Sequence, residues 1–176
     1  MRTARTTPLL LVLSFVVTLG GCSGGPAPRA WAATVCTVLA PWRTEISTLA
    51  TRTQQQMTAE TTPAQAKENL TRLFGGAETA SEKARAGVER AGVPNVERGK
   101  QVADSFAASL SAMRDAYGRA RTGIDGLKTA PSEAFYQQVT KVVEQLQTDY
   151  SASSLDTSKL NSAELKDAFD EVPECR

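Results

Sequence analysis

The sequence predicts an all-α fold: an antiparallel four-helix bundle with a short fifth C-terminal helix that a disulfide ties to the first helix. Apolar residues recur three or four positions apart along most of the chain, and no segment alternates as a strand would. Short segments rich in glycine, proline and serine separate four long amphipathic stretches, and short connections favour antiparallel neighbours. The predicted domain, residues 31–176, is long enough to enclose one hydrophobic core.

The first helix is predicted from about residue 30 to 57. Its apolar positions form one face, made of Trp31, Val35, Leu39, Trp42, Ile46 and Leu49. Pro41 lies within this stripe and lacks the amide proton that a helix interior needs. We therefore expect Pro41 either to kink the helix or to begin its second half.

The second helix begins with a clear N-terminal signal. Thr62 is the predicted N-cap, Pro63 suits the first helical position, and Gln65 completes a capping box. The apolar stripe is rich in alanine, which favours close helix contacts over a wide cavity: Ala66, Leu70, Leu73, Ala77, Ala80, Ala84, Val88 and Ala91. Gly75 and Gly76 each lower helix propensity by ~1 kcal/mol relative to alanine, so we expect a local bend there.

The remaining helices are separated by proline-containing breaks. The segment AGVPN at 91–95 ends the second helix, and a third is predicted from about 95 to 128. Its apolar positions are Val102, Phe106, Leu110, Met113, Tyr117, Ala120, Ile124 and Leu127. The segment TAPSE at 129–133 opens a fourth helix, whose apolar positions are Phe135, Val139, Val142, Leu146 and Tyr150. A fifth helix is predicted over 161–169, with Asn161 and Glu164 in capping-box positions.

Residues 1–21 have the pattern of a secretory signal peptide. Arg2 and Arg5 give a basic start, and small residues follow an apolar run at 8–19. That run is about 12 residues long, whereas a membrane-spanning helix needs roughly 20. We therefore expect the segment to direct export rather than to remain as a membrane span.

The tetrapeptide LGGC, made of Leu19, Gly20, Gly21 and Cys22, resembles the lipobox of bacterial lipoproteins. In that family the cysteine thiol receives a diacylglyceryl group, and cleavage makes the cysteine the first residue of the mature chain. The resemblance implies that Cys22 carries fatty acyl chains such as palmitate, and that the three preceding residues are recognised by the signal peptidase. It places the protein at the extracytoplasmic face of the cell membrane. The alternative is a soluble secreted protein with an ordinary thiol at Cys22.

Residues 22–30 are predicted to form a flexible tether, because CSGGPAPRA is small, polar and rich in proline and glycine. The eight residues after the cysteine would span at most about 26 Å at ~3.3 Å per residue. The folded domain would therefore lie close to the membrane surface.

If Cys22 is acylated, Cys36 and Cys175 are the only other cysteines. Two cysteines outside the cytoplasm usually form a disulfide, which here would fasten the C-terminal tail to the first helix. Two free thiols with a redox or metal role are the alternative, supported by neither a CxxC motif nor a histidine.

The composition excludes several classes of function. The chain has no histidine, which removes the commonest general base and the usual zinc or haem ligand. It has no glycine-rich phosphate loop and no EF-hand spacing, so we expect no cofactor and no metal. Without the arginines of the signal peptide, 18 basic residues oppose 19 acidic ones, a balance that does not favour nucleic acid.

Carboxylates are the remaining candidates for catalysis. The candidate sets are Glu78 with Glu82, and Glu164, Asp167, Asp170 and Glu171. Their helical spacing is typical of solvent-facing positions, so we expect the protein to be non-catalytic. A carboxylate-dependent envelope enzyme that acts on glycan is the alternative.

Two pairs of opposite charge have the favourable i,i+4 order for surface ion pairs on a helix. They are Glu68 with Arg72, and Asp115 with Arg119.

Trp42, Phe106 and Tyr117 are the candidate ligand-binding residues, because aromatic side chains on neighbouring helices can line a groove. We expect the groove to bind a protein partner of the cell envelope or an apolar small molecule. A structural spacer without a ligand is the other reading. Trp31 and Tyr136 are further possible contacts to a ligand, a partner or the membrane interface.

Parts of the mature chain are similar to small helical lipoproteins of high-GC Gram-positive bacteria. The similar features are Cys36, the segment VPNVERGKQVADSF at 93–106, the segment RDAYGRA at 114–120, and the tail AFDEVPECR at 168–176. The resemblance implies a helical bundle in the cell envelope and assigns no activity.

Overall fold

The computed structural model describes residues 24–153 and 162–176, which contain five α-helices and no strand. The helices are α1 (Pro28–Gln56), α2 (Pro63–Arg90), α3 (Gly99–Asp125), α4 (Ser132–Ala152) and α5 (Ala163–Glu171), followed by a 3₁₀ turn at Pro173–Cys175. The predicted all-α class is confirmed. The signal peptide and lipobox residues Leu19, Gly20, Gly21 and Cys22 lie outside the described residues.

The positions at which the sequence predicts a kink or a bend lie inside continuous helices. α1 continues through Pro41 as one uninterrupted helix from Pro28 to Gln56. Leu39, two residues before Pro41, and Trp42, directly after it, are both buried in the core, and this packing holds the helix across the lost backbone hydrogen bond. α2 likewise continues through Gly75 and Gly76.

The ends of the helices follow local chemistry. The predicted capping box of α2 is confirmed: the Thr62 hydroxyl accepts from the Gln65 amide, and the Thr62 amide donates to Gln65 Oε1 at 2.9 Å. At α5 the N-cap is Ser162, whose hydroxyl accepts from the Leu165 amide at 3.3 Å. Asn161, the predicted cap, lies outside the described residues, and the cap that the structure describes is Ser162, with Leu165 as the third helical residue.

α3 begins four residues later than the sequence predicts. Arg98 has a left-handed backbone with φ of 59°, and the Gly99 amide donates to the Val96 carbonyl at 3.0 Å, which closes a turn ahead of the helix. A Cβ on Gly99 would lie 2.0 Å from the Pro94 carbonyl oxygen. Only glycine allows the turn to pack this closely against the first turn of α3.

The helices pack mainly on their neighbours in the chain. α2 lies between α1 and α3, α3 packs against α4, and α5 with the 3₁₀ turn packs against α1. Along the contact between α1 and α2 the sequence order is reversed, because Val38 lies by Gly87 and Leu49, further along α1, lies by Gly76. Between α3 and α4, Gly123 lies by Val142.

The core has two clusters of buried side chains. In the first, the fully buried Trp31 meets Phe106 and Phe169 edge to face, with ring centroids 5.4 Å and 6.0 Å away. The second cluster joins α2 and α3, and its members are Leu70, Phe74, Ala77, Tyr117, Ala120 and Ile124. Half-buried residues of α4 pack against this second cluster: Val139, Val142 and Leu146.

The disulfide between Cys36 and Cys175 is confirmed, with Cα atoms 5.0 Å apart and 139 residues of sequence separation. It holds the C-terminal turn against α1, next to α5, whose Leu165 and Phe169 are buried in the first cluster. A cross-link over so long a loop stabilises a fold chiefly by restricting the unfolded chain.

Residues 24–26 lie against the α2–α3 connection and residues 28–30 are helical, although the sequence predicts that all of them belong to a flexible tether. α1 already begins at Pro28, and the Asn95 amide donates to the Pro26 carbonyl at 2.9 Å. A Cβ on Gly25 would lie 1.8 Å from the Val93 carbonyl oxygen, so this segment lies directly on the α2–α3 connection. Backbone pairing and close packing therefore order a stretch whose composition alone favours a random coil.

The close approach of α1 to α2 generates a testable contrast between two glycines. A Cβ on Gly87 would lie 2.6 Å from Val38 Cγ1, and one on Gly76 would lie 2.7 Å from Leu49 Cδ1. We expect Gly87→Ala to destabilise the protein by about 1–3 kcal/mol, because the β-branched Val38 has one strongly preferred rotamer in a helix. Urea unfolding followed by circular dichroism measures the effect.

Gly76→Ala is the matched control for Gly87→Ala. The leucine methyls can rotate away, and alanine favours a helix over glycine by ~1 kcal/mol, so we expect a net change of less than about 1 kcal/mol. Equal stabilisation by both substitutions would contradict the close approach of the two helices.

Candidate functional site

A groove of about 780 Å³ runs between α1 and α2, within the size range of small-molecule sites. Its apolar lining residues are Val38, Pro41, Trp42, Leu49, Ala80 and Ala84. The α2 side is shallow because it also includes Gly75, Gly76 and Gly87, which carry no side chain. The alanine-rich stripe of α2 therefore has two effects. It allows close contact between helices, and its small residues beside that contact leave the groove open.

Trp42 is held in position at the groove wall. Its indole Nε1 donates to Ser81 Oγ at 3.1 Å, and Ser81 Oγ donates to the Ala77 carbonyl at 2.8 Å. Ser81 is fully buried, so a lost partner here would leave a buried polar group unsatisfied at a cost of about 1–3 kcal/mol. The hydrogen-bond chain fixes the position of the indole, which also lines the groove.

The structure does not bring the three candidate ligand-binding residues together in one groove. Trp42 lines the α1–α2 groove. Phe106 lies in the first core cluster against Trp31, and Tyr117 lies in the second cluster. Burial raises the pKa of the Tyr117 hydroxyl to about 12, as expected for a phenol that is largely removed from water.

Trp31 and Tyr136, the two other candidate contacts, have opposite environments. Trp31 is fully buried, and its Nε1 donates to the Gly92 carbonyl at 2.8 Å. Tyr136 is exposed on α4, and its hydroxyl donates to the Thr61 carbonyl at 3.3 Å. Trp31 is therefore a core residue, and only Tyr136 presents its ring to solvent.

Cations predominate around the groove. Its charged lining residues are Arg52, Arg72, Lys83 and Arg90, against the single carboxylate of Glu45. Arg72 makes the predicted ion pair with Glu68, with Nη2 and Oε1 2.7 Å apart. Both partners are at least half exposed, so the pair is weak and open to exchange.

The first candidate pair of carboxylates is engaged by arginines. Glu82 accepts from Arg85 at 2.7 Å and from Arg114 at 2.8 Å, and Glu78 accepts from Arg121 at 2.8 Å. Hydrogen bonds from Arg85 and then Arg114 lower the pKa of the Glu82 carboxyl to about 2. A general acid needs a raised pKa instead, so Glu82 has the electrostatics of a structural ion pair.

The second candidate set lies exposed on α5. Asp170 pairs with Lys166 at 2.8 Å, and Glu171 pairs with Arg29 of α1 at 3.1 Å. Within residues 24–153 and 162–176, no three metal-ligating side chains converge on one point, and no helix is long and apolar enough to cross a membrane.

The predicted ion pair between Asp115 and Arg119 is wrong. Arg119 instead reaches Asp149 of α4 at 2.7 Å, and Asp115 pairs with Arg114 at 2.7 Å. Tertiary packing brings Asp149 within reach of the guanidinium, and hydrogen bonds from Arg119 and Gln145 lower the pKa of the Asp149 carboxyl.

The residues of the groove that sequence reasoning missed are its glycines and its cations. Gly76 and Gly87 lie eleven positions apart, which is about three helical turns and places them on one face of α2. Lys83 lies between them in the sequence and also lines the groove. A stripe of small residues on one helix face with a cation among them is the sequence signal that could have predicted this groove.

Comparisons with known proteins give no match: no family model, no curated protein and no solved structure is similar to this chain at a significant level.

The ion pairs of Glu82 predict how acid affects stability. The folded-state pKa of about 2 lies below the ordinary value of 4.5, so folding is favoured while the carboxylate is ionised. This contribution is complete above pH 4.5 and is lost as the pH falls toward 2. We expect Glu82→Gln to flatten the decline of thermal stability across that window.

Glu144→Gln is the control for Glu82→Gln, because Glu144 is exposed on α4 and has no ion pair with a described residue. Melting curves recorded at several pH values should follow the unsubstituted protein for this variant. An unchanged acid slope in Glu82→Gln would show that the arginine pairs contribute nothing to folding.

Proposed function

We propose that the protein is a membrane-anchored, non-catalytic lipoprotein of the cell envelope that binds an apolar small molecule between α1 and α2. The observation that carries the binding proposal is the groove itself, with its apolar floor and its volume of about 780 Å³. A folded domain that served only as a spacer would gain nothing from leaving apolar surface open in this way.

The anchor proposal is supported by the lipobox-like LGGC and by the short apolar leader. Gly25 packs against the carbonyl of Val93, so only three residue steps separate Cys22 from the folded part. Those steps span about 11 Å at most. Acyl chains on Cys22 would thus hold the α2–α3 connection and the start of α1 beside the membrane.

The antiparallel four-helix arrangement belongs to the same proposal. It is supported by Val38 and Leu49 of α1, which meet α2 in reverse order, and by Lys67 Nζ, which donates to the Leu127 carbonyl at 3.1 Å. In this arrangement α1 and α2 lie side by side along their length, which gives the groove two helical walls.

A protein partner remains the second candidate for the binding function, and the exposed face of α4 favours it. Tyr136, Val143 and Tyr150 lie seven residues apart and are each about two-fifths exposed. Such a stripe is typical of a helix face that contacts another helix. The glycan-hydrolase alternative has no comparable support, since Glu78 and Glu82 already pair with arginines.

Filling the groove tests small-molecule binding. Ala80→Phe places a ring on the apolar floor, and Thr79→Phe does so from an exposed position if the first variant folds poorly. We expect mass spectrometry of the protein purified from membranes to detect a bound apolar molecule that either variant loses. Retention of the molecule by both folded variants would place its site elsewhere.

Replacing the lipobox cysteine tests the anchor. We expect Cys22→Ala to move the protein from the membrane fraction to the soluble fraction, because two or more acyl chains provide the stable attachment that one chain does not. Fractionation and immunoblotting measure the distribution, with Cys36→Ala/Cys175→Ala as the control that leaves the anchor intact. Continued membrane association of the Cys22→Ala protein would refute lipid anchoring.

A further inference from the structure

The α1–α2 groove has two arginines at one of its ends. Leu49 of α1 lies against Gly76 of α2, with Cδ1 2.7 Å from the position of a Cβ. Arg52 follows Leu49 by three residues, and Arg72 precedes Gly76 by four. Because the two helices meet in reverse order at these positions, both arginines flank the same end, and both line the groove.

This end of the groove adjoins a polar surface. Arg72 also borders a polar pocket of about 500 Å³ beside the α1–α2 connection, which is lined by Gln56, Thr58, Thr61, Gln65 and Asn69 and by the carboxylates of Glu60 and Glu68. In the other direction the small-residue floor from Gly76 to Gly87 extends for about 16 Å of helix. The groove therefore combines an apolar floor with cations, of which Arg52 and Arg72 flank this end and Lys83 and Arg90 lie toward Gly87.

The charge around the groove has one predominant sign, although the chain as a whole is nearly neutral. Arg52, Lys83 and Arg90 form no ion pair with any carboxylate in the described part of the chain, and Arg72 has only the exposed pair with Glu68. Four cations against Glu45 give a positive rim. A ligand that complements this rim carries negative charge.

We infer that the groove binds an amphiphile with one apolar chain and an anionic phosphate or carboxylate head. The head lies between Arg52 and Arg72, whose guanidinium groups can donate two parallel hydrogen bonds to an oxyanion. The chain extends over Leu49, Ala80 and Trp42 toward Gly87. This inference rests on the proposed small-molecule function and adds the chemistry and orientation of the ligand.

The test compares matched probes that differ only in the head. The full chain carries Cys22→Ala, so that no acyl group of its own competes for the groove. Isothermal titration calorimetry measures dodecyl phosphate, dodecanoate and dodecanol below their aggregation limits. We expect one or both anionic probes to bind about tenfold or more tightly than dodecanol, with an affinity that falls as salt is added.

Three variants locate the head and the chain. Arg52→Gln and Arg72→Gln should each weaken the anionic probes about tenfold and change dodecanol binding by less than about twofold. Arg43→Gln is the control, because Arg43 is exposed on α1 and lies outside the groove lining. Ala80→Phe should weaken all three probes, since it occupies the path of the chain.

Equal affinity for all three probes, or no effect of the two arginine substitutions, would overturn the anionic head and leave an apolar site. Failure of every probe to bind the folded protein would overturn the small-molecule function as well. Binding of an acidic amphipathic peptide in place of the alkyl probes would overturn the amphiphile and assign the groove to a protein partner.

Discussion

The burial of Trp31 is the constraint on which the arrangement of the helices depends. Its indole meets Phe106 of α3 and Phe169 of α5, and its Nε1 donates to the Gly92 carbonyl between α2 and α3. One side chain of α1 thus contacts three other parts of the fold. The Cys36–Cys175 disulfide lies one to two turns further along α1 and holds α5 in place for this contact.

With that end of the fold secured, the contact between α1 and α2 determines the groove. Val38 and Leu49 pack into the places left by Gly87 and Gly76, so the backbones approach closely at two points. Small residues beside these points leave the furrow open, and Trp42, held by Ser81, forms its wall. The same residues that favour close packing therefore also create the candidate site and its apolar floor.

Charge is distributed differently around α3 and α4 than around the α1–α2 groove. Around α3 and α4 the arginines are matched with carboxylates, as in the pairs of Arg114 with Glu82, Arg119 with Asp149 and Arg121 with Glu78. Around the groove the cations outnumber the carboxylates. The matched ion pairs contribute modestly to the stability of the fold. The unmatched cations leave a positive electrostatic potential that attracts a negatively charged ligand.

The sequence by itself determined the five helices, the capping box of Thr62 and Gln65, and the pairing of Cys36 with Cys175. These features depend on residues close together in the chain, or, for the disulfide, on the small number of possible partners. Tertiary structure alone decided that Arg119 pairs with Asp149, that residues 24–26 pack on the α2–α3 connection, and that Phe106 and Tyr117 are core residues. Helix periodicity defines which face of each helix is apolar. The rotation and register between two helices arise from contacts between residues that are far apart in sequence. The groove therefore could not be predicted from any single segment of the chain.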